Sequence, residues 1–202
     1  MNRPNYVFFI MGKSSTGKDT IFQQLCEQKD LGLKVIISYT TRPIRGNEAE
    51  GNEYHFTDEA CFQAFQAAGS VVENRVYHTY HGLWRYFTVD DGQFDFPPDS
   101  PDRLMIGTLE SFLCVKKYFP ELSVVPLLIE LDDGVRLERA LKREMSQETP
   151  RYEEMCRRFL ADTDDFAEDL IEDAGIDKRF YNHESTTTAQ NIATYIRELR
   201  GK

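Results

Sequence analysis

The sequence lacks the features that place a protein in a membrane or in an oxidising compartment. It contains no apolar run near the length of about 18 residues that a transmembrane helix needs. The first few residues lead almost directly into an apolar segment, so we expect no signal peptide. The four cysteines are scattered and form no C-x-x-C pair, which argues against a zinc site or a disulfide framework. We therefore expect a cytoplasmic protein without a membrane partner.

Positive charge is scarce and unevenly distributed. The 202 residues carry a formal net charge of −10, which argues against a nucleic-acid polymer as partner. Residues 1–50 nevertheless carry seven Lys or Arg and five Asp or Glu, a net charge of +2. A locally basic segment on an acidic chain suits a small anionic ligand, although a solvated surface would show the same asymmetry. The length and an apolar fraction of 41% indicate one folded domain.

The stretch GKSSTGKDT has the spacing of a phosphate-binding loop, G-x-x-x-x-G-K. An apolar run at residues 6–11 precedes it, and a helical pattern follows it, so it joins a buried strand to a helix start. Backbone N–H groups and the helix dipole favour an anion at such a position. An ordinary Gly/Ser-rich turn is the alternative. We predict a phosphate site formed by Gly12, Lys13, Ser14, Ser15, Thr16, Gly17, Lys18, Asp19 and Thr20.

One position in this loop is unusual. The residue after the lysine commonly carries a hydroxyl that binds Mg²⁺, but here it is Asp19, and Thr20 follows one place later. Asp19 or Thr20 could therefore bind the metal. We favour an Asp19 that turns outward, because a carboxylate facing phosphates needs a metal between them.

The rest of the chain alternates between strand-like and helix-like segments. Strands are predicted at residues 35–37, within 71–89, and at 104–106, 124–131 and 180–181, and helices at 57–69, 109–119, 134–145, 152–170 and 188–199. This order predicts an α/β fold, with a parallel sheet covered by helices on both faces. Ligands of such sheets bind at the carboxyl ends of the strands, where the phosphate loop falls.

A second informative segment is SYTTRPIRGNEAEGNEYHF, at residues 38–56. Pro43 disfavours helix at Arg42, so we expect a loop that carries Arg42 and Arg45. Two guanidinium groups, with the Ser38 and Tyr54 hydroxyls, can clamp a terminal phosphate, because the planar fork of arginine binds two phosphate oxygens. The alternative is two solvent-facing arginines paired with nearby glutamates.

Together, the two segments resemble the guanylate kinase family. The second segment matches the family's S-x-T-T-R-x-x-R-x-x-E-x-x-G-x-x-Y-x-F pattern at Ser38, Thr40, Thr41, Arg42, Arg45, Glu48, Gly51, Tyr54 and Phe56. The resemblance implies transfer of the γ-phosphoryl group of ATP to GMP with Mg²⁺. It also implies a P-loop NTPase-type core at about 1–37 and 103–202, a small β-rich GMP-binding subdomain at about 38–90, and a helical lid at about 140–155.

The resemblance also implies roles for single residues. The GMP phosphate would be held by Ser38, Arg42, Arg45, Tyr54 and Tyr80 or His81, and guanine would be read by Glu73, with Thr108 nearby. Asn182 would lie beside the adenine of ATP. Beside Lys18, Arg42 and Arg45, the catalytic cations would be the lid arginines Arg139, Arg143 and Arg158, for which a salt-bridged helix with Glu138, Glu144 and Glu154 is the alternative. Glu73 could instead be an exposed strand residue paired with Arg75.

The sequence departs from the family pattern at several positions. Lys13 and Ser15 stand where the family has proline and glycine, and Leu83 replaces a serine or threonine. Ile106, Thr108 and Ser111 replace the residues of an I-x-D-x-x-G pattern. Two alternatives therefore stay open: a related nucleotide kinase with another acceptor, and a catalytically silent binding module of the guanylate kinase type.

Overall fold

Two β-sheets organise the chain in the computed structural model, which describes residues 5–46, 48–79 and 82–201. The larger sheet contains β1 (Tyr6–Met11), β2 (Lys34–Val35), β7 (Arg103–Gly107), β8 (Ser123–Glu130) and β9 (Arg179–Tyr181). Its strand order is β2-β7-β1-β8-β9, and every pairing is parallel. The smaller sheet contains β3 (Tyr39–Thr40), β4 (His55–Phe56), β5 (Val71–Thr79) and β6 (Gly82–Val89), in the order β4-β3-β6-β5.

Helices cover the larger sheet on both faces. The seven α-helices are α1 (Lys18–Glu27), α2 (Glu59–Ala67), α3 (Leu109–Tyr118), α4 (Asp133–Met145), α5 (Tyr152–Asp165), α6 (Glu168–Asp173) and α7 (Ser185–Arg200), and Lys29–Leu31 forms a short 3-10 turn. Helices α1 and α7 pack on one face, and α3 and α6 pack on the other. The predicted α/β fold is therefore confirmed. Within the described part of the chain, no helix is both long and apolar enough to cross a membrane.

The central strand β1 explains why helices cover both faces. Its side chains alternate: Phe8 and Ile10 join the α1 and α7 cluster, whereas Val7, Phe9 and Met11 join the α3 cluster. All five are completely buried. Burying each such side chain contributes on the order of 1.5–3 kcal/mol, so β1 is a rigid platform for the loop that follows it.

Several predicted elements differ from the observed ones, among them the last helix, which begins at Ser185 and not at residue 188; three further differences have a local explanation. The helix predicted at 152–170 is divided into α5 and α6, because Phe166 leaves the helical conformation (φ −124°, ψ 40°) and buries its ring in the core. Helix α2 begins at Glu59, since the Asp58 carboxylate caps it by accepting the backbone N–H of Cys61 at 2.8 Å. Strand β2 ends at Val35, although the Ile36 N–H still donates to Leu104.

The smaller sheet has one apolar and one polar face. Tyr39, Phe87 and Val89 point to α2 and pack against Phe62 and Phe65. The alternate residues point to the opposite side, where the strand register aligns Thr88 with Glu73, and Tyr86 with both Arg75 and Thr40. The two-residue period of the strands thus assembles a polar surface from three of them.

Candidate active site

The phosphate loop is packed so closely that two positions require glycine. A Cβ atom on Gly12 (φ +154°) would lie 2.3 Å from the carbonyl oxygen of Ile129 in β8. A Cβ atom on Gly17 (φ +88°) would lie 2.4 Å from Nδ2 of Asn182 and 3.6 Å from a guanidinium nitrogen of Arg139. The G-x-x-x-x-G spacing thus lets the loop pass against the β8 backbone and turn into α1.

Asn182 holds the phosphate loop through a hydrogen bond to its backbone. It is completely buried, and its Nδ2 donates to the carbonyl oxygen of Thr16 at 2.6 Å. Its Oδ1 accepts a hydrogen bond from the Thr188 hydroxyl at 3.3 Å. The resemblance placed Asn182 beside the adenine of ATP, whereas these contacts give its amide a role in holding the loop.

Lys18 and Asp19 begin helix α1. Lys18 Nζ lies 3.7 Å from Asp19 Oδ2, and the Asp19 side chain is 80% exposed. Asp19 therefore turns outward in the first turn, where a carboxylate is favoured by the helix dipole. Thr20 is also exposed. Among the described residues, no cluster of three or more His, Cys, Asp or Glu is placed to hold a metal ion.

Ser15 holds an unfavourable conformation within the loop. Its φ is +63°, in the left-handed region that costs non-glycine residues on the order of 1 kcal/mol. Its buried hydroxyl oxygen has no hydrogen-bond partner in the described part of the chain. Such strain persists only where surrounding contacts hold the backbone in place.

Arg42 is buried and bound at several points. Nη1 and Nη2 donate to the two carboxylate oxygens of Glu48, both at 2.8 Å, and Nε donates to the Tyr86 hydroxyl at 3.0 Å. The side chain is only 3% exposed, and it packs near the Tyr54 and Phe56 rings. The alternative of a solvent-facing arginine is wrong for Arg42, although its pairing with Glu48 is observed. Arg42 therefore shapes the loop and keeps little free hydrogen-bonding capacity.

Arg45 is exposed, and its guanidinium has no partner among the residues described. Its backbone N–H donates to Glu48 Oε2 at 2.9 Å, so Glu48 connects the two arginines. Hydrogen bonding from Arg42 holds the pKa of Glu48 below its usual range, and the Arg45 N–H acts in the same direction. The loop thus presents one buried, engaged arginine and one free cation.

Glu73 lies at the centre of the polar face of the smaller sheet. Its side chain is 2% exposed, its Oε1 accepts the Thr88 hydroxyl at 2.8 Å, and its Oε2 accepts Arg75 Nε at 3.1 Å. The Ser38 hydroxyl lies 3.3 Å from that of Thr88. Glu73 is therefore paired with Arg75, as the alternative interpretation held, but it is buried and not exposed. A buried carboxylate supported by hydroxyl groups is suited to accept donors from a ligand.

The pKa of Tyr54 is affected by charges of both the polar face and the start of α1. Burial raises the pKa of its hydroxyl to about 12, and the charges of Arg75, Asp19 and Arg42 also act on it. Asp19 lies in the first turn of α1, whereas Arg42 follows β3 and Arg75 lies on β5 of the smaller sheet. Charges at the start of α1 and on the polar face therefore both act on the Tyr54 hydroxyl.

Thr108 has a structural role at the start of α3. Its hydroxyl accepts the Ser111 N–H at 3.2 Å as the helix cap and lies 3.1 Å from the Ser111 hydroxyl. Thr108 and Ser111, which replace other residues of the family pattern, thus stabilise the start of α3. Tyr80 and His81 lie outside the residues that the structure describes.

The three proposed lid arginines differ in their surroundings. Arg158 donates to Glu154 at 2.8 Å and shares it with Arg157, so the salt-bridged alternative holds for this residue. Arg139, near Gly17, and the exposed Arg143 have no partner in the described ranges. Two free cations on α4 are therefore available to a ligand.

Comparison with known proteins agrees with this geometry. A sequence model described as Guanylate kinase matches residues 5–82. The guanylate kinase of Nitrosomonas europaea is 26% identical over 97% of this chain and 90% of its own length, and that of Paraburkholderia xenovorans is 31% identical over 78% of this chain and 66% of its own length. The chain belongs to the guanylate kinase family. The crystal structure of guanylate kinase from Anaplasma phagocytophilum has the same fold, with a TM-score of 0.67 at 20% identity over 100% of this chain and 90% of its own.

Sequence reasoning missed several residues at the site of this guanylate kinase family member. Thr88 and Tyr86 face the same side as Glu73, and the alternating pattern of β6 is a signal that could have found them. Arg136 and Asp162, which contact the phosphate loop, carry no such signal because they are distant from the loop in sequence.

The Glu48 pair predicts a pH-dependent stability of the acceptor loop. Because the folded pKa of Glu48 is depressed below its ordinary value of 4.5, its contribution is present above pH 4.5 and is lost as the pH falls through the folded pKa. We expect Glu48→Gln to lower the unfolding free energy by about 1–3 kcal/mol at pH 7. Thermal unfolding of both proteins should give Tm values that converge below pH 4.5. A Tm difference that persists or widens in acid would contradict the pairing, and Glu53→Gln in the same loop is the control.

Proposed function

We propose that this protein transfers the γ-phosphoryl group of ATP to GMP, giving ADP and GDP. One observation carries the proposal: the chain combines a phosphate loop at the start of α1 with a small sheet whose polar face holds the buried Glu73 carboxylate. The family supports the same reaction. A site for a nucleoside triphosphate beside a site for a nucleoside monophosphate is the arrangement that direct transfer requires.

The phosphate loop and the start of α1 support ATP binding. The transition state of phosphoryl transfer spreads charge over the transferred oxygens, so catalysis depends on positioning and on cations. Lys18 would contact the transferred γ-phosphoryl group, while the N–H groups at the start of α1 would bind the other phosphates of ATP. No general base is needed, because the attacking GMP oxygen is already ionised. Mg²⁺ held by Thr20 or Asp19 would neutralise phosphate charge when bound, and these oxygen donors suit it because Mg²⁺ needs few protein ligands.

The acceptor side supports GMP binding. Arg45 offers its exposed guanidinium to the GMP phosphate, while Arg42 and Glu48 hold the loop. The Tyr54 and Ser38 hydroxyls would be further donors to that phosphate. Glu73 would accept the N1–H and N2 amine of guanine. Arg75 pairs with the Glu73 carboxylate through Nε at 3.1 Å and would hold it in place for the base.

We also propose that residues 140–155 form a lid. This range spans the end of α4 and the start of α5, and the free cations Arg139 and Arg143 lie at its first helix. Closure over bound nucleotides would bring these cations to the phosphates and exclude water, which would otherwise hydrolyse ATP. We propose in the same way a core at about 1–37 and 103–202 and a GMP-binding subdomain at about 38–90, a division supported by the larger sheet lying in the first and the smaller sheet in the second. All four cysteines are free thiols, which supports a cytoplasmic location.

A nucleotide panel tests the function. ADP release with ATP and Mg²⁺ would be measured against GMP, AMP, CMP, UMP and IMP as acceptors. We expect turnover with GMP far above that with AMP. Silence toward every acceptor would contradict the proposal and favour a binding module, and a preference for another nucleotide would contradict the GMP assignment.

Removing each acceptor-loop arginine should separate ligand binding from loop structure. Arg45→Ala removes an exposed cation without a protein partner, so we expect an unchanged Tm, a raised KM for GMP and a lowered kcat. Arg42→Ala leaves Glu48 unpaired, so we expect an additional loss of unfolding free energy of about 2–3 kcal/mol. Initial rates and thermal unfolding measure both effects. An effect of Arg45→Ala on the KM for ATP alone would assign Arg45 to the other substrate, and Arg197→Ala, at a distant exposed ion pair, is the control.

A further inference from the structure

A buried ion pair lies directly behind the phosphate loop. Arg136 in α4 is completely buried, and its Nη2 donates to Oδ2 of Asp162 in α5 at 2.6 Å. Its Nη1 donates to Asp133 in the first turn of α4, and its guanidinium lies 4.9 Å from the Phe159 ring centroid. Each of the three guanidinium nitrogens donates to a protein group, and the side chain is completely buried, so it is not exposed to a substrate.

The ion pair holds Ser14 of the loop on both sides. Asp162 Oδ2 accepts the Ser14 backbone N–H at 2.8 Å, and Asp162 Oδ1 accepts the Ser14 hydroxyl at 3.3 Å. Arg136 Nε donates to the Ser14 carbonyl oxygen at 2.9 Å. Three hydrogen bonds thus attach one loop residue to two helices. The Ser14 N–H points to Asp162 and is not free to bind a phosphate.

We propose that Arg136 and Asp162 are positioning residues that hold the phosphate loop in its nucleotide-binding conformation. The next loop residue, Ser15, has φ +63° and a buried hydroxyl without a partner in the structure as described, so the loop needs outside contacts to keep this shape. The ion pair supplies them at the adjacent peptide. This inference rests on the proposed binding of ATP at this loop.

The same pair couples the loop to the proposed lid. Arg136 precedes Arg139 by three residues, about one turn of α4. Asp162 lies on α5, in which the proposed lid range ends. A movement of either helix changes the contacts at Ser14. ATP affinity therefore depends on the positions of α4 and α5, through two residues that do not contact the substrate.

A second ion pair of the same construction offers a matched control. At the opposite end of β1, Asp102 accepts the Tyr6 backbone N–H at 2.9 Å and Arg200 Nε at 2.8 Å, and Asp102 is completely buried. Each pair therefore binds a backbone N–H near one end of β1. Only the Arg136–Asp162 pair adjoins the phosphate loop.

The experiment replaces each pair with apolar residues of similar size. Replacing a buried ion pair in this way is often neutral for stability, which separates loop positioning from folding. The variants are Arg136→Met with Asp162→Leu, and Arg200→Met with Asp102→Leu. We measure Tm, the Kd for ATP by calorimetry, and the KM for GMP. We expect the first double variant to stay folded and to bind ATP about tenfold more weakly, because all three hydrogen bonds that hold Ser14 are lost. Its KM for GMP, and the Kd for ATP of the control, should be unchanged.

Each other outcome overturns the proposal in a recognisable way. A folded first double variant that binds ATP like the natural protein would exclude a positioning role, as would an equal loss of ATP binding in the control. If the first double variant does not fold, Asp162→Asn decides: it keeps the side-chain shape and one acceptor oxygen, and unchanged ATP binding would overturn the inference. Failure of the natural protein to bind ATP would instead contradict the proposed function.

Discussion

Lys18→Ala is expected to remove most of the phosphoryl transfer while leaving the protein folded. Lys18 begins α1 at the end of the phosphate loop, where, in the proposed function, its ammonium would contact phosphates bound by the loop N–H groups. Loss of one electrostatic contact to a transition state typically lowers kcat by about 10²–10³-fold. The cation acts more strongly on the transferring group than on bound ATP, so kcat should fall by more than ATP affinity.

The effect of Lys18→Ala on stability should be small. The Lys18 ammonium lies 3.7 Å from the exposed Asp19 carboxylate, and an exposed ion pair contributes about 0–1 kcal/mol. Initial rates with ATP and GMP, together with Tm, measure the two quantities. Lys29→Ala removes an exposed lysine from the turn after α1 and should change neither. Turnover close to that of the natural protein would exclude Lys18 from the reaction and with it the phosphate-loop assignment.

Glu73→Gln is expected to reduce GMP turnover and base selectivity together. Guanine presents two adjacent donors, N1–H and the N2 amine, and a carboxylate accepts both. Adenine presents an acceptor at N1, so it would leave the buried Glu73 carboxylate without a donor from the ligand. A site built on such hydrogen bonds can reject the wrong base by on the order of 10⁴-fold where the groups are fully desolvated.

The structure gives the glutamine variant a second defect. Both Glu73 oxygens already accept protein donors, Thr88 Oγ1 at 2.8 Å and Arg75 Nε at 3.1 Å. A glutamine amide can accept from only one of them, and its NH₂ group would face the other donor or the guanine N–H groups. The kcat/KM for GMP should therefore fall by far more than the ATP hydrolysis rate without acceptor, and the preference for GMP over AMP should shrink.

A second Glu–Arg pair on the same sheet provides the control. Glu59 of α2 accepts Arg85 Nε at 2.8 Å on the opposite, apolar side of β6. Glu59→Gln removes the same charge from a comparable pair that faces no ligand, so the kinetics should not change. Competition between GMP and AMP in the ADP-release assay measures selectivity directly. If Glu73→Gln keeps both GMP activity and selectivity, Glu73 does not read the base.

Much of the fold could be predicted because its determinants are local. The alternation of apolar residues in β1, the G-x-x-x-x-G-K spacing and the helical pattern of α1 all lie within residues 6–27. Periods of two and 3.6 residues report which face of a strand or helix is buried, without reference to the rest of the chain. The break between α5 and α6 was missed because Phe166 leaves the helix only to reach a core that α3 and β1 complete.

The sequence by itself determined the α/β class, the phosphate loop and the family resemblance, since each depends on residue types at short, fixed spacings. Only the tertiary structure decided what the site residues contact. It paired Arg42 with Glu48, gave the Arg45 guanidinium no partner among the described residues, and made Thr108 a helix cap. It also brought Asp162 to Ser14 across 148 positions of the chain. Hydrogen bonds over such separations depend on how helices pack on the sheet, and no local pattern records that packing.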